Sequence, residues 1–208
     1  MASTQPSRRQ EHKARTAQAL QQAALALFAE NGYDDTTTDQ IAEQAGVSPR
    51  TFFRYFPTKD SALFAGSFNW YQSFTESFLA QPASSGDVDA IHQTFVDLAP
   101  ELAKRRRSLD LYEQAVASSA TLRGGVQEHV QQDIATLAAA IAERRGLTEA
   151  NESCMLLAAV ALVTYRRAVL RWLDGPADQD PGKVIDEELQ LLIDQFSSSS
   201  SNGRGRKT

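Results

Sequence analysis

The chain has 208 residues and is 42% hydrophobic, enough to bury a core in one large helical domain or two small ones and too apolar for a disordered chain. Its formal net charge of −5 excludes a surface coated with cation, yet residues 1–60 carry seven Lys/Arg and seven Asp/Glu, so the whole acidic excess lies after residue 60. Near the start, Arg8, Arg9, Lys13 and Arg15 stand against Glu11 alone, and a local patch of that kind reaches phosphate over about a Debye length whatever the net charge. The single cysteine, Cys154, permits no internal disulfide and reads as a small core residue in a reducing cytoplasm. No apolar leader opens the sequence, and its longest apolar run, Cys154 to Val163, is too short for a bilayer span, so a cytoplasmic protein without a membrane partner is expected.

Helical periodicity dominates the chain, and an all-α fold of about nine helices is expected. Ala17, Leu20, Ala24, Leu27 and Phe28 share one face of a first helix, which Gly32 should close in a left-handed conformation. Thr37 and Gln40 have the form of a capping box for a short second helix, 38–44, ending at Ala45-Gly46. Ser48 caps a third helix with Pro49 in its first turn, and Pro57 ends it. Thr58 then opens a fourth, read as one helix to about residue 80. Five more follow near 87–99, 101–119, 121–145, 148–173 and 182–196, with Pro100, Gly124-Gly125, Gly146 and the loop at 174–182 as punctuation. The Gly/Ser-rich tail, 197–208, reads as disordered.

On a helical wheel Phe52 and Phe56 fall together, while Arg50 and Arg54 fall opposite. The third helix can therefore pack its rings on Ile41, Ala42 and Ala45 and turn its arginines outward, giving a helix-turn-helix across Gly46-Val47. Taken singly, such arginines are most simply a solvated face; the caps, the turn and the ring register favour DNA.

The stretch TTTDQIAEQAGVSPRTFFRYFPTKDSALF closely resembles the N-terminal DNA-binding domain of the TetR family of transcriptional regulators, over about Arg15 to Phe64. A weaker echo, RRAVLRWLDGPADQD, is similar to the end of the long C-terminal helix in actinobacterial members with an acyl-CoA-like ligand-binding domain. The resemblance implies a three-helix DNA-binding domain at 1–64, a helical effector-binding and dimerisation domain at 65–196, and no enzyme activity or cofactor. It implies phosphate contacts from Thr51, Tyr55 and Lys59 and base contacts from Arg50, Phe53 and Arg54, with Thr37 and Ser48 at helix starts that meet phosphates. Many members have Tyr at the place of Phe53, so a phenol hydrogen bond gives way here to apolar contact.

The helix at 148–173 is apolar nearly all round. Leu156, Val160 and Val163, edged by Arg167, form one face, which with Leu189, Leu192 and Phe196 of the last helix suits a four-helix homodimer interface; the alternative is that both faces are internal core. Phe74 and Phe78 of the fourth helix, with Trp70 alongside, face the choice between core and the wall of an effector pocket completed by Met155, Leu162 and Tyr165. The run at 104–107 reads as a solvated basic face, and Arg166 and Arg167 as ion-pair partners or anchors for an acidic effector. His12, His92 and His129 lack partners at metal-ligand spacing, so no metal site is expected. The reading that results is a homodimer on palindromic double-stranded DNA, released by a small-molecule effector and more in keeping with a repressor than an activator. A DNA-binding dimer that senses nothing is the alternative.

Overall fold

The computed structural model describes residues 7–64 and 67–201, and the described secondary structure is helical throughout. It divides into two compact units, residues 1–70 with 107–129, and residues 71–106 with 130–208.

In the first unit α1 (Arg8–Asn31) buries Leu20, Ala24 and Phe28 at four-residue spacing and closes at Gly32, where φ is 86°. The capping box of α2 (Thr38–Gln44) is formed: Thr37 Oγ1 accepts the Gln40 N–H at 3.2 Å, and Gln40 Oε1 accepts the Thr37 N–H at 2.8 Å. Its exit is a Schellman turn, with Gly46 N–H to Glu43 O at 3.0 Å, Val47 N–H to Ala42 O at 2.9 Å, and φ of 71° at Gly46. Ser48 Oγ then accepts the Thr51 N–H at 3.2 Å and starts α3 (Pro49–Tyr55). Phe52 and Phe56 close this core with Ile41 and Ala42, and Ala62 and Leu63 join them from the short α4 (Ser61–Phe64).

This core also takes in Ala115 and Val116 of α7 (Arg106–Ser118) and Leu122 of α8 (Ala120–Arg144), with Leu111, Tyr112 and Val126 packed at its edge. All six lie within residues 65–196, the expected second domain. The expected single helix 58–80 appears as α4 and α5 (Ser67–Leu79), and its continuity across residues 65–66 lies outside the described residues.

In the second unit α10 (Pro181–Ser201) packs on both α6 (Asp87–Ala103) and α9 (Glu152–Asp174). Ala158, Ala161 and Ala168 of α9 are buried, small enough to admit close neighbours, and Trp172 seals the far end. The rings of Phe78, Phe74, Phe95 and Tyr165 run in series, with successive centroids 5.8, 5.0 and 4.3 Å apart. Arg144 ties α8 to the loop after α5, donating to the carbonyls of Phe78, Gln81, Pro82 and Ser85 at 2.6–3.3 Å.

Several expectations need correction. Pro100 lies inside α6, not at its end: it stands on the exposed side in the last turn but one, where its missing N–H breaks a single hydrogen bond of the ladder. Gly124 and Gly125 lie inside α8, within the expected helix 121–145, because a glycine weakens a helix without forcing it to stop. The basic run is not simply a solvated face, since Arg106 donates to the carbonyls of Leu173 and Gly175 at 3.0 and 2.7 Å and lies over the Trp172 ring. The helix α10 continues through residues 197–201 of the expected tail, and the remainder of that tail lies outside the described residues.

Candidate nucleic-acid interface

The physical basis of a reading head is a helix held firmly on one side and free on the other. In α3 the held side is Phe52, fully buried, and Phe56, whose rings lie 5.7 Å apart. The free side carries Arg50, Phe53 and Arg54, all exposed, with Phe53 exposed to 54%. The structure thus brings the three expected base-contacting residues onto one solvent-facing surface.

Thr51 and Tyr55 are half-buried at its edges. Thr51 Oγ1 and Ser48 Oγ share a hydrogen bond of 2.9 Å, and the Arg54 guanidinium lies 5.4 Å from the Tyr55 ring centre, so cation and ring steady each other. The hydroxyls of Thr37 and Ser48 serve as helix caps, each keeping one face toward solvent at the start of α2 or α3. Both cap sites stand where orphan N–H groups make a helix start attractive to anions.

Lys59, the third residue expected at a phosphate, is half-buried and engaged within its own chain. Its Nζ donates to the carbonyls of Tyr33 and Thr36 and lies over the Tyr33 ring. Burial pushes the Tyr33 phenol above its ordinary pKa, and the charges of Asp60 and Asp34 push it further the same way, so the ring stays neutral beneath the ammonium. No sequence signal marks this arrangement, because residues 33 and 59 meet only after α2 and α3 have folded.

The expected interface residues of the second unit separate into two groups. On α9, Leu156 and Val163 are exposed to 68% and 67%, Val160 between them is half-buried, and Arg167 follows on the same stripe. Leu189 is instead buried within the chain, because the side of α10 that carries it packs on α6 and α9; Leu192 is half-buried, and the side chain of Phe196 lies outside the described residues. The sequence pattern missed Leu191, exposed to 52%.

Arg167 and Arg171 both pair with the buried Glu188, each at 2.9 Å, and Arg171 also with Glu187. These hydrogen bonds hold the Arg171 guanidinium above its already high pKa, so it remains a cation. A groove of about 710 Å³ follows the same side of α9, lined by Val163, Arg166, Arg167, Leu170 and Arg171 and continuing to Gln179. By length and composition α9 is apolar enough to cross a bilayer, but Arg166, Arg167 and Arg171 interrupt it and six of its residues are buried against its own chain.

Of the expected pocket residues, Phe74 and Phe78 are fully buried, Tyr165 and Leu162 half-buried, and Trp70 half-buried in the first unit. Met155 is exposed beside Leu156. The groove on α9 and a second of about 430 Å³, lined by residues of α5 and α8 from Thr75 to Glu143, both leave these rings out.

Residues 20–65 match the model of the bacterial regulatory proteins of the tetR family. The HTH-type transcriptional regulator TcmR of Streptomyces glaucescens is 36% identical over 90 residues, 43% of this chain and 40% of TcmR. The tetR family match is thus confined to the N-terminal segment, residues 20–65. TcmR and further curated relatives are named as HTH-type transcriptional regulators. The match spans less than half of TcmR's own length.

Over the whole chain the TetR fold recurs in solved structures. FadR of Thermus thermophilus, a TetR-family repressor in complex with lauroyl-CoA, has a TM-score of 0.56 at 22% identity, covering 85% of this chain and 93% of that one. FadR of Bacillus subtilis, in complex with stearoyl-CoA, has a TM-score of 0.58 at 20% identity, covering 85% and 97%.

Proposed function

We propose that this regulator is a homodimeric, effector-responsive repressor that binds a palindromic operator and acts in the cytoplasm. The observation that carries the DNA-reading part is the outward surface of α3, where Phe53 stands exposed between exposed Arg50 and Arg54. An arginine there can bond bidentately to guanine O6 and N7, and the Phe53 ring can pack on a thymine methyl. Thr51 and Tyr55, at the edges, are assigned to phosphates, together with the helix starts at Thr37 and Ser48. DNA reading is assigned to residues 1–64, and sensing and dimerisation to 65–196.

The exposed stripe from Leu156 through Val163, continued by Leu191, supports dimerisation, since burying it against its symmetry mate removes the same apolar surface twice. Sensing rests on the fold shared with the acyl-CoA-bound FadR proteins, which makes long-chain acyl-CoA the first effector class to test. The close stacking of Phe74, Phe78, Phe95 and Tyr165 favours the second reading, a DNA-binding dimer whose rings are ordinary core and which senses nothing.

Gel shifts of the purified chain on the DNA upstream of its own coding sequence, with and without acyl-CoA, separate the readings. Saturable, sequence-specific retardation released by acyl-CoA is expected. Retardation that no acyl-CoA alters would leave the second reading, and absence of specific retardation would reject both.

A further inference from the structure

Among the described residues Glu188 of α10 is the one acid or base that is buried, with its side chain 5% exposed. A carboxylate held out of water needs cationic partners, and two reach it from α9. Arg167 Nε pairs with its Oε2 at 2.9 Å and Arg171 Nη1 with its Oε1 at 2.9 Å, while Arg171 Nη2 also pairs with Glu187. Two cations and two anions thus close into one cluster whose charges cancel.

The cluster is lopsided. Glu188 is covered, whereas the Arg167 side chain is exposed to 73%. Arg167 follows Leu156, Val160 and Val163 at helical spacing, so it continues the apolar stripe assigned to the contact between copies. Exposed Leu191 stands about one turn beyond Glu188 on α10. In a two-fold pair each stripe meets its own copy. An unbalanced arginine on it would face its like while losing water, which is costly on both counts.

We propose that Glu188 is the counter-ion that admits Arg167 to the contact between two copies of this chain, each protomer bringing its cluster already neutral. This rests on the proposed reading of the chain as a homodimer. Charge balance and mere packing of α10 on α9 leave different marks. Glu188→Gln keeps the shape and leaves each protomer one positive charge in excess beside the stripe, and Arg167→Gln leaves each one negative charge in excess. Either homodimer then gathers like charges, whose repulsion salt screens. A mixture of the two variants behaves in the opposite way, since a positive stripe there meets a negative one.

The test uses the full chain as wild type, each single variant and the double variant Arg167→Gln/Glu188→Gln. Dimer dissociation is measured by sedimentation equilibrium over a range of KCl concentrations, after melting curves have shown which variants are folded at the assay temperature. At low salt each single variant should dissociate roughly thirtyfold or more readily, with KCl restoring part of the loss, and the double variant should return to within about threefold of wild type. The two single variants, differently tagged and mixed, should form heterodimers well above the statistical half of all dimers. Wild-type dimerisation in Arg167→Gln, weakening that KCl does not relieve, additive losses in the double variant, or a statistical mixture would each overturn the proposal. Should Glu188→Gln fail to fold, Arg167→Gln decides, because that side chain is exposed in the single chain: a weaker dimer that KCl restores supports the proposal, and wild-type dimerisation refutes it. A monomeric wild type would refute the homodimer reading and the proposal with it, an outcome distinct from any difference among the variants.

Discussion

Replacing Val163 by Asp tests the dimer with little disturbance of the single chain. Val163 is exposed to 67% on α9, so the variant loses little internal packing, and an exposed substitution of this kind shifts folding stability by about 0.5 kcal/mol or less. In the proposed dimer the same position is covered. Completing the burial of a valine contributes on the order of 1–2 kcal/mol, and two-fold symmetry counts it twice. A carboxylate put there adds at least about 2 kcal/mol for each unpaired polar group taken out of water. With one carboxylate from each protomer the combined cost is at least about 6 kcal/mol, which weakens the dimer by roughly ten-thousandfold or more. Light scattering on a size-exclusion column at micromolar concentration should show a dimeric wild type and a folded monomeric variant, its melting temperature lowered by no more than the lost stabilisation of dimerisation. Operator affinity should fall with it, since one half-site is then read alone. A variant that stays dimeric would refute the assignment of this stripe, and a monomeric wild type would refute the dimer itself.

Two further outcomes follow from the scaffold. Arg144→Met removes charged hydrogen bonds to the carbonyl of buried Phe78 at the end of α5 and to three carbonyls of the loop that follows, and should lower stability by about 2–4 kcal/mol in urea unfolding; a loss under about 1 kcal/mol would show that water replaces the guanidinium. Gly124→Ala should raise stability by about 0.5–1 kcal/mol, because Gly124 lies inside α8 and an added Cβ meets nothing within 4 Å; a lower melting temperature would contradict that helical placement.

What the sequence made legible was local. The capping box at Thr37 and Gln40, the positive φ at Gly32 and Gly46, and the Ser48-Pro49 start of α3 each involve residues within a turn of one another, and each appears in the structure as read. The outward placing of Arg50, Phe53 and Arg54 follows from helical period once Phe52 and Phe56 are assigned to the core. What could not be read was tertiary. Ala115, Val116 and Leu122 are ordinary apolar positions whose pattern does not say which core they join. Leu189 and Leu191 are two residues apart on α10, one buried and one exposed, and only the packing of α10 on α6 and α9 separates them. Pro100 misled because a residue that disfavours a helix does not stop one when the surrounding packing outweighs a local cost of about 3 kcal/mol.

The central claim is that α3 reads sequence through its exposed residues, and the affinity of Arg54→Ala for the operator and for a scrambled duplex of the same length and composition tests it most directly. Loss of a bidentate base contact should cost about 1–3 kcal/mol on the operator, with the preference relaxed at one base pair in each half-site. Binding to the scrambled duplex should weaken much less. Equal loss on both duplexes would make Arg54 a phosphate contact, and no loss on either would remove this face of α3 from the DNA altogether.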